Sequence, residues 1–213
     1  MTLVGNLPRG AYLVGGTGIA AHLGHRVSRD LDFFVGEPFN PARLVKSLER
    51  LGRFAATRLE LGTVNGYLDD TRVQFLEAAD QHPVDPVEDI GGIPVAGLRD
   101  LLATKLKEVG DRGELRDYFD LLILERDAGH RIEEGLGLFI NRYRPVTQEA
   151  AVLHIVRGLA YFGDVSDDPA LPVNRQEIED YWTRRQPAIV ASLGWLTGLE
   201  GRQFRPQNPE LSR

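Results

Sequence analysis

The sequence predicts an α+β protein: a lobe built on a small mixed sheet flanked by helices, followed by a helical C-terminal lobe. Two observations predict it. Up to about residue 97, short apolar runs alternate with turn residues, whereas from Leu98 onward apolar residues recur at helical spacing. The first part also lacks the regular strand–helix alternation of a doubly wound parallel sheet. The division is placed near residue 97, with 1–97 as the sheet lobe and 98–213 as the helical lobe.

Ala11–Val14 reads as a short strand, and Thr17–Leu23 as a short helix ended by Gly24. Leu31–Val35 is a second strand. Asn40 caps a helix with Pro41 at its first position, and Leu44, Val45, Leu48 and Leu51 form its apolar stripe up to Gly52. Phe54–Leu61 and Thr63–Leu68 are expected strands. Asp69-Asp70 turns the chain into Arg72–Glu77, where Val73 and Phe75 alternate with polar residues. The proline-containing stretch Asp80–Asp89 reads as loop, and Ile93–Ala96 as one more strand. Helices are expected near 98–109, 115–127, 147–161 and 175–192, with a poorly ordered tail after Gly201.

At 213 residues the chain can bury one core or two small ones, and 42% hydrophobic with 26% charged residues is ordinary for a soluble protein. The absence of cysteine excludes disulfides and thiolate metal sites. MTLVGNLPRG lacks the basic start and apolar core of a signal peptide, and no apolar run is long enough to span a membrane, so the expected location is the cytoplasm. A net charge of -6 argues against bulk electrostatic capture of nucleic acid, though not against a local basic groove. The five histidines show no metal-ligand spacing and read as structural.

Residues 14–35, VGGTGIAAHLGHRVSRDLDFFV, carry the first chemical signal. Gly16-x-Gly18-x-x-Ala21 with Glu37 further on fits a dinucleotide-binding fingerprint. Against it, the following helix is only about two turns long, and a buried parallel strand reads as continuous apolar sequence. Leu31–Val35 instead has Asp30 and Asp32 inside or against it. Alternation puts Asp30, Asp32 and Phe34 on one face and Leu31, Phe33 and Val35 on the other. Two such carboxylates repel each other and are expensive to desolvate unless they share a cation such as Mg²⁺. A Gly15-Gly16 turn into a helix exposes N–H groups suited to phosphate, and Thr17 adds a hydroxyl. The plain alternative is that Asp30 caps the strand entry and Asp32 pairs with an arginine such as Arg26.

Residues 100–124, DLLATKLKEVGDRGELRDYFDLLIL, carry the second. Lys105 falls on the apolar stripe of its helix while Lys107 points away, so Lys105 either snorkels out or meets anions, including phosphates. In the next helix Asp117 and Asp120 share a face, and Arg116 is placed for an exposed ion pair with Asp120.

The Gly15-Gly16 turn, a spacer and Asp30-Leu31-Asp32 resemble the DNA polymerase beta-like nucleotidyltransferase superfamily. With GGTGIAAHLGHRVSRDLDFF, the lysine helix and RGELRDYFDLLIL in that order, the chain resembles the AbiEii/AbiGii-type nucleotidyltransferases of abortive-infection and toxin–antitoxin systems. The region around Tyr161-Phe162-Gly163-Asp164, with Pro172 and Trp182, extends the resemblance to about residue 185. It implies a nucleotidyltransferase sheet lobe in which Asp30 and Asp32 hold Mg²⁺ and Lys105 holds NTP phosphates. Asp120 would orient or deprotonate the attacking hydroxyl, and Gly15, Gly16, Thr17, Arg26 and Ser28 would line the nucleotide, with Asp117 and Arg116 in support. It also implies the tRNA 3′ end as one acceptor class and a cognate antitoxin as partner. Small-molecule or protein hydroxyls, or a non-catalytic nucleotide-binding module, are the alternatives. One departure stands out. The superfamily commonly carries a third carboxylate on the strand beside Asp-x-Asp, where this chain has Gln74; Glu77 is expected on the opposite face. Arg142, Arg144, Arg184 and Arg185 are either phosphate contacts or a solvated face.

Overall fold

The computed structural model describes residues 3–195; the tail expected after Gly201 lies outside them. Seven strands, β1 (Ala11–Val14), β2 (Leu31–Val35), β3 (Phe54–Glu60), β4 (Thr63–Leu68), β5 (Thr71–Glu77), β6 (Glu88–Ile90) and β7 (Ile93–Val95), form one mixed sheet in the order β3-β4-β5-β2-β1-β7-β6. Helices α1 (Gly15–Leu23) and α2 (Pro41–Leu48) belong to this half. Then come α3 (Leu98–Arg112), α4 (Leu115–Arg126), α5 (Ile132–Tyr143), α6 (Gln148–Gly158) and α7 (Arg175–Ser192).

The start of α2 forms as its sequence dictates: the Asn40 side chain accepts the Arg43 N–H at 3.0 Å and Pro41 sits in the first turn. β1 and β2 flank α1 yet run antiparallel, with Val14 opposite Asp32. A dinucleotide-binding unit needs parallel strands there, so the topology disposes of that fingerprint. β2 runs parallel to β5 on its other side, in a register that sets Asp32 against Gln74.

The two faces of β2 serve different cores. Phe33 and Val35 pack with Val64, Val73, Phe75 and the α2 residues Leu44 and Leu48. Phe34, on the aspartate face, joins Tyr12, Val14 and Ile19 in a larger core built mostly from α3–α7. That core runs straight across residue 97. Gly97 marks a change of element type, as the N-cap of α3, while the packing continues past it.

One α-helix and one strand among the described residues are absent from the sequence reading. α5 is masked by Gly135 and Gly137, which weaken any helix assignment. Gly135 has a packing reason: a Cβ there would lie 2.7 Å from Leu106 and 2.8 Å from Leu102, so the residue lets α5 approach α3 closely. β6 falls in the stretch read as loop and pairs with β7 across the Gly91-Gly92 turn. Arg142, named above among possible phosphate contacts, is fully buried instead; its guanidinium pairs with Asp100 and donates to Tyr12 Oη at 3.2 Å. Arg185 is likewise engaged, by Glu125 at 2.9 Å and Glu133 at 2.6 Å.

Candidate active site

A cavity of about 410 Å³ opens between the aspartate face of β2, the start of α1 and one side of α3. Gly15, Gly16, Arg26, Ser28, Asp30, Asp32, Lys105, Arg116 and Asp117 all border it. Residues far apart in sequence are thus brought to one place. Thr17 and Asp120 do not border it.

The glycine turn is shaped by what lies against it. Gly15 has a φ of +66°, and a Cβ there would come within 2.9 Å of Asp32 Oδ2. A Cβ on Gly16 would collide with the Arg26 guanidinium and lie 3.1 Å from Asp120 Oδ2. That guanidinium is clamped by two hydrogen bonds, Nε to Oδ1 at 2.6 Å and Nη2 to Oδ2 at 2.8 Å of Asp120, and has little freedom to yield. Gly16→Ala is therefore expected to destabilise the protein by about 1–3 kcal/mol through overpacking, read as a lower urea midpoint.

The Asp32 carboxylate has no hydrogen-bond or ion-pair partner among the described residues, Arg26 included. Burial, with the negative charges of Glu108 and Asp30 nearby, pushes its pKa up to about 6. Asp30 is more open, with Arg116 at 3.7 Å and Arg72 at 3.8 Å. Among the described residues no three His, Asp or Glu side chains converge as metal ligands. The Asp30–Asp32 pair nevertheless has the chemistry of a Mg²⁺ site completed by water and phosphate oxygens: hard carboxylate donors, one of them half-buried with no directly bonded cation.

Lys105 lies on the core stripe and meets anions rather than snorkelling: Glu108 at 2.5 Å, Asp117 at 2.9 Å and Asp120 at 3.5 Å. Burial works against its charge, but the three carboxylates outweigh it and hold its pKa above the usual lysine value. Asp117 also accepts the Glu114 N–H at 2.8 Å, closing a capping box at the start of α4.

Asp120 differs from its sequence reading. It is fully buried and is bound by Arg26, Lys105 and, through Nε2 at 2.8 Å, His25. Burial alone would raise its pKa; Arg26, Lys105 and His25 overcome that and hold it below the usual carboxylate range. Its carboxylate faces Arg26, Lys105 and His25 and does not border the cavity. Arg116 pairs with Glu114 at 2.6 Å in place of Asp120. Thr17 is also occupied: its hydroxyl bonds the Asp30 carbonyl and lies 2.7 Å from Ser28 Oγ, tying α1 to the approach of β2.

The sequence reading missed Glu108 and Arg72, both on the cavity wall. Each had a local signal: Glu108 is one turn beyond Lys105, and Arg72 shares a strand face with Gln74. Glu77, expected on the opposite face, borders the cavity where β5 ends.

The mixed sheet backed by helices has the fold of the nucleotidyltransferase structures that it superposes on. A protein from H. pylori assigned as a nucleotidyltransferase superposes with a TM-score of 0.57 at 21% identity, covering 91% of this chain and 92% of its own. The antibiotic-resistance factor ANT(2'')-Ia superposes with a TM-score of 0.50 at 17% identity, covering 68% of this chain and 85% of its own. In sequence, uncharacterized protein aq_aa25 of Aquifex aeolicus (strain VF5) is 29% identical over 174 residues, 80% of either chain. No protein-family model matches the chain. No helix among the described residues is long and apolar enough to cross a membrane.

Proposed function

We propose that the protein is a Mg²⁺-dependent nucleotidyltransferase that moves a nucleotide from an NTP to an acceptor hydroxyl. The observation that carries this reading is Asp32, a half-buried carboxylate with no directly bonded cation, beside Asp30 and against the Gly15-Gly16 turn in a cavity that Lys105 also borders. Asp30 and Asp32 would hold the cation. The chemistry supplied there by bound Mg²⁺ is neutralisation of charge on the α-phosphate and the departing pyrophosphate. The Gly15-Gly16 N–H groups and Lys105 bind phosphate oxygens, with Ser28 and Arg26 beside them. Asp120 fixes Arg26 and Lys105, and Asp117 fixes Lys105. The acceptor hydroxyl oxygen attacks the α-phosphorus in line and gives up its proton to solvent; its bond to phosphorus forms as the bond to the pyrophosphate oxygen breaks.

The resemblance of residues 15–34 and 112–124 to AbiEii/AbiGii-type proteins supports a finer reading: a toxin acting on the tRNA 3′ end and restrained by an antitoxin. Gln74 opposite Asp32 is the feature that favours a second reading, a nucleotide-binding module without catalysis. One experiment separates them. The protein is incubated with Mg²⁺ and each labelled NTP, with total tRNA, protein extract or aminoglycosides as acceptor. Label entering tRNA, and lost in Asp32→Ala, is the expected result. Label confined to proteins or small molecules moves the acceptor class, and nucleotide binding without transfer under every condition overturns the enzymatic reading.

A further inference from the structure

Three carboxylates surround the Lys105 ammonium, and they are not equivalent. Asp117 is also committed to the Glu114 N–H, and Asp120 to Arg26 and His25. Glu108 has no other hydrogen-bond or ion-pair partner among the described residues. Its side chain is 40% exposed, against 11% for Asp117 and none for Asp120. It also borders the cavity.

The Lys105 ammonium donates to Glu108 and Asp117 and pairs with Asp120 at 3.5 Å, so three acidic side chains crowd it. A phosphate oxygen entering from the cavity competes with the carboxylate on the cavity side. Asp117 and Asp120 are anchored by other bonds, and only Glu108 can leave without breaking further contacts. Glu108 lies one turn from Lys105 on α3, so a change of side-chain rotamer releases it with the helix intact. Its charge is felt across the cavity, where it is the foremost of the neighbouring charges acting on Asp32.

We propose that Glu108 sets the nucleotide affinity of the free protein by occupying the phosphate's place on Lys105, and that it swings aside when a triphosphate binds. The inference rests on the nucleotide reading above. Two anions compete for one ammonium, so removing the protein's own anion strengthens binding of the other.

The test uses inorganic triphosphate as the probe, which isolates the phosphate subsite from any base preference. Binding to the full chain is measured calorimetrically in EDTA and again with Mg²⁺. Glu108→Gln and Glu108→Ala are expected to bind about ten-fold more tightly than wild type in EDTA, the gain from removing one close, partly buried competing charge. Asp111→Asn, on the same wall but paired with Lys107 at 2.5 Å, is expected to leave affinity unchanged. Unchanged or weaker binding by both Glu108 variants overturns the proposal, as does equal tightening by Asp111→Asn, which would show a general field effect. Wild type that binds triphosphate with Mg²⁺ while Glu108 variants behave identically leaves the nucleotide reading standing and removes this one. No binding by any protein, with or without Mg²⁺, overturns both.

Discussion

Asp32→Asn is expected to lower nucleotidyl transfer by about 10²–10³-fold or more while making the metal-free protein more stable at neutral pH. The two effects share one cause. Asp32 is desolvated beside Glu108 and Asp30, which outweigh the more distant Arg72 and Lys105, so its carboxyl is pushed up to about 6. Because the folded-state pKa lies above the unfolded one, the folded chain binds the proton more tightly. The stability this represents is fully present below about pH 4, fades between about pH 4 and 6, and is gone above that window. At pH 8 the ionised group therefore destabilises the fold by about 1–3 kcal/mol, and asparagine removes that burden. Urea melts in EDTA at pH 8 and pH 4 check it. The variant should lead at pH 8, and its advantage should vanish at pH 4. A variant less stable than wild type at pH 8 would show that Asp32 has a compensating partner after all.

Asp120→Asn is the opposite case. Its carboxylate is enclosed by Arg26, Lys105 and His25, and neutralising it leaves the buried Arg26 guanidinium without its counter-charge while Lys105 keeps only Glu108 and Asp117. Breaking one side of such a buried group is expected to destabilise the protein by about 3–5 kcal/mol. Here the folded-state pKa lies below the unfolded one, so the stabilisation is complete above about pH 4 and is lost only as pH falls through the lower folded value. Wild type and variant should therefore differ most at pH 7, and the gap in denaturant midpoint should narrow as pH falls below about 4. Transfer activity should fall as well, because Arg26 and Lys105 lose the group that fixes them. An Asp120→Asn protein of wild-type stability but no activity would return Asp120 to the catalytic role suggested by the resemblance.

Much of the fold was legible because its signals are local. The cap at Asn40, the alternation through Val73 and Phe75 and the helical stripe around Lys105 each lie within a few residues of what they specify. α5 was hidden because its glycines answer to α3, a partner elsewhere in the chain. The candidate site divides the same way. Alternation alone placed Asp30 and Asp32 on one face, and the stripe alone placed a lysine among apolar neighbours. Pairing was not legible. Helical spacing offered Arg116 as the partner of Asp120, whereas the partner is Arg26, 94 residues away in the chain. Nothing near Arg142 announced its burial against Asp100 and Tyr12. Whether a charged side chain faces solvent or another charge is decided by packing between distant segments.

That 94-residue span also bears on how the pocket is made during synthesis. As the chain leaves the ribosome, the glycine turn, Arg26, both aspartates and then Lys105 all emerge before the carboxylate that organises them. Until residue 120 has appeared and α4 has docked, Arg26 lacks the carboxylate that clamps it. The ordered pocket would thus arrive late and all at once.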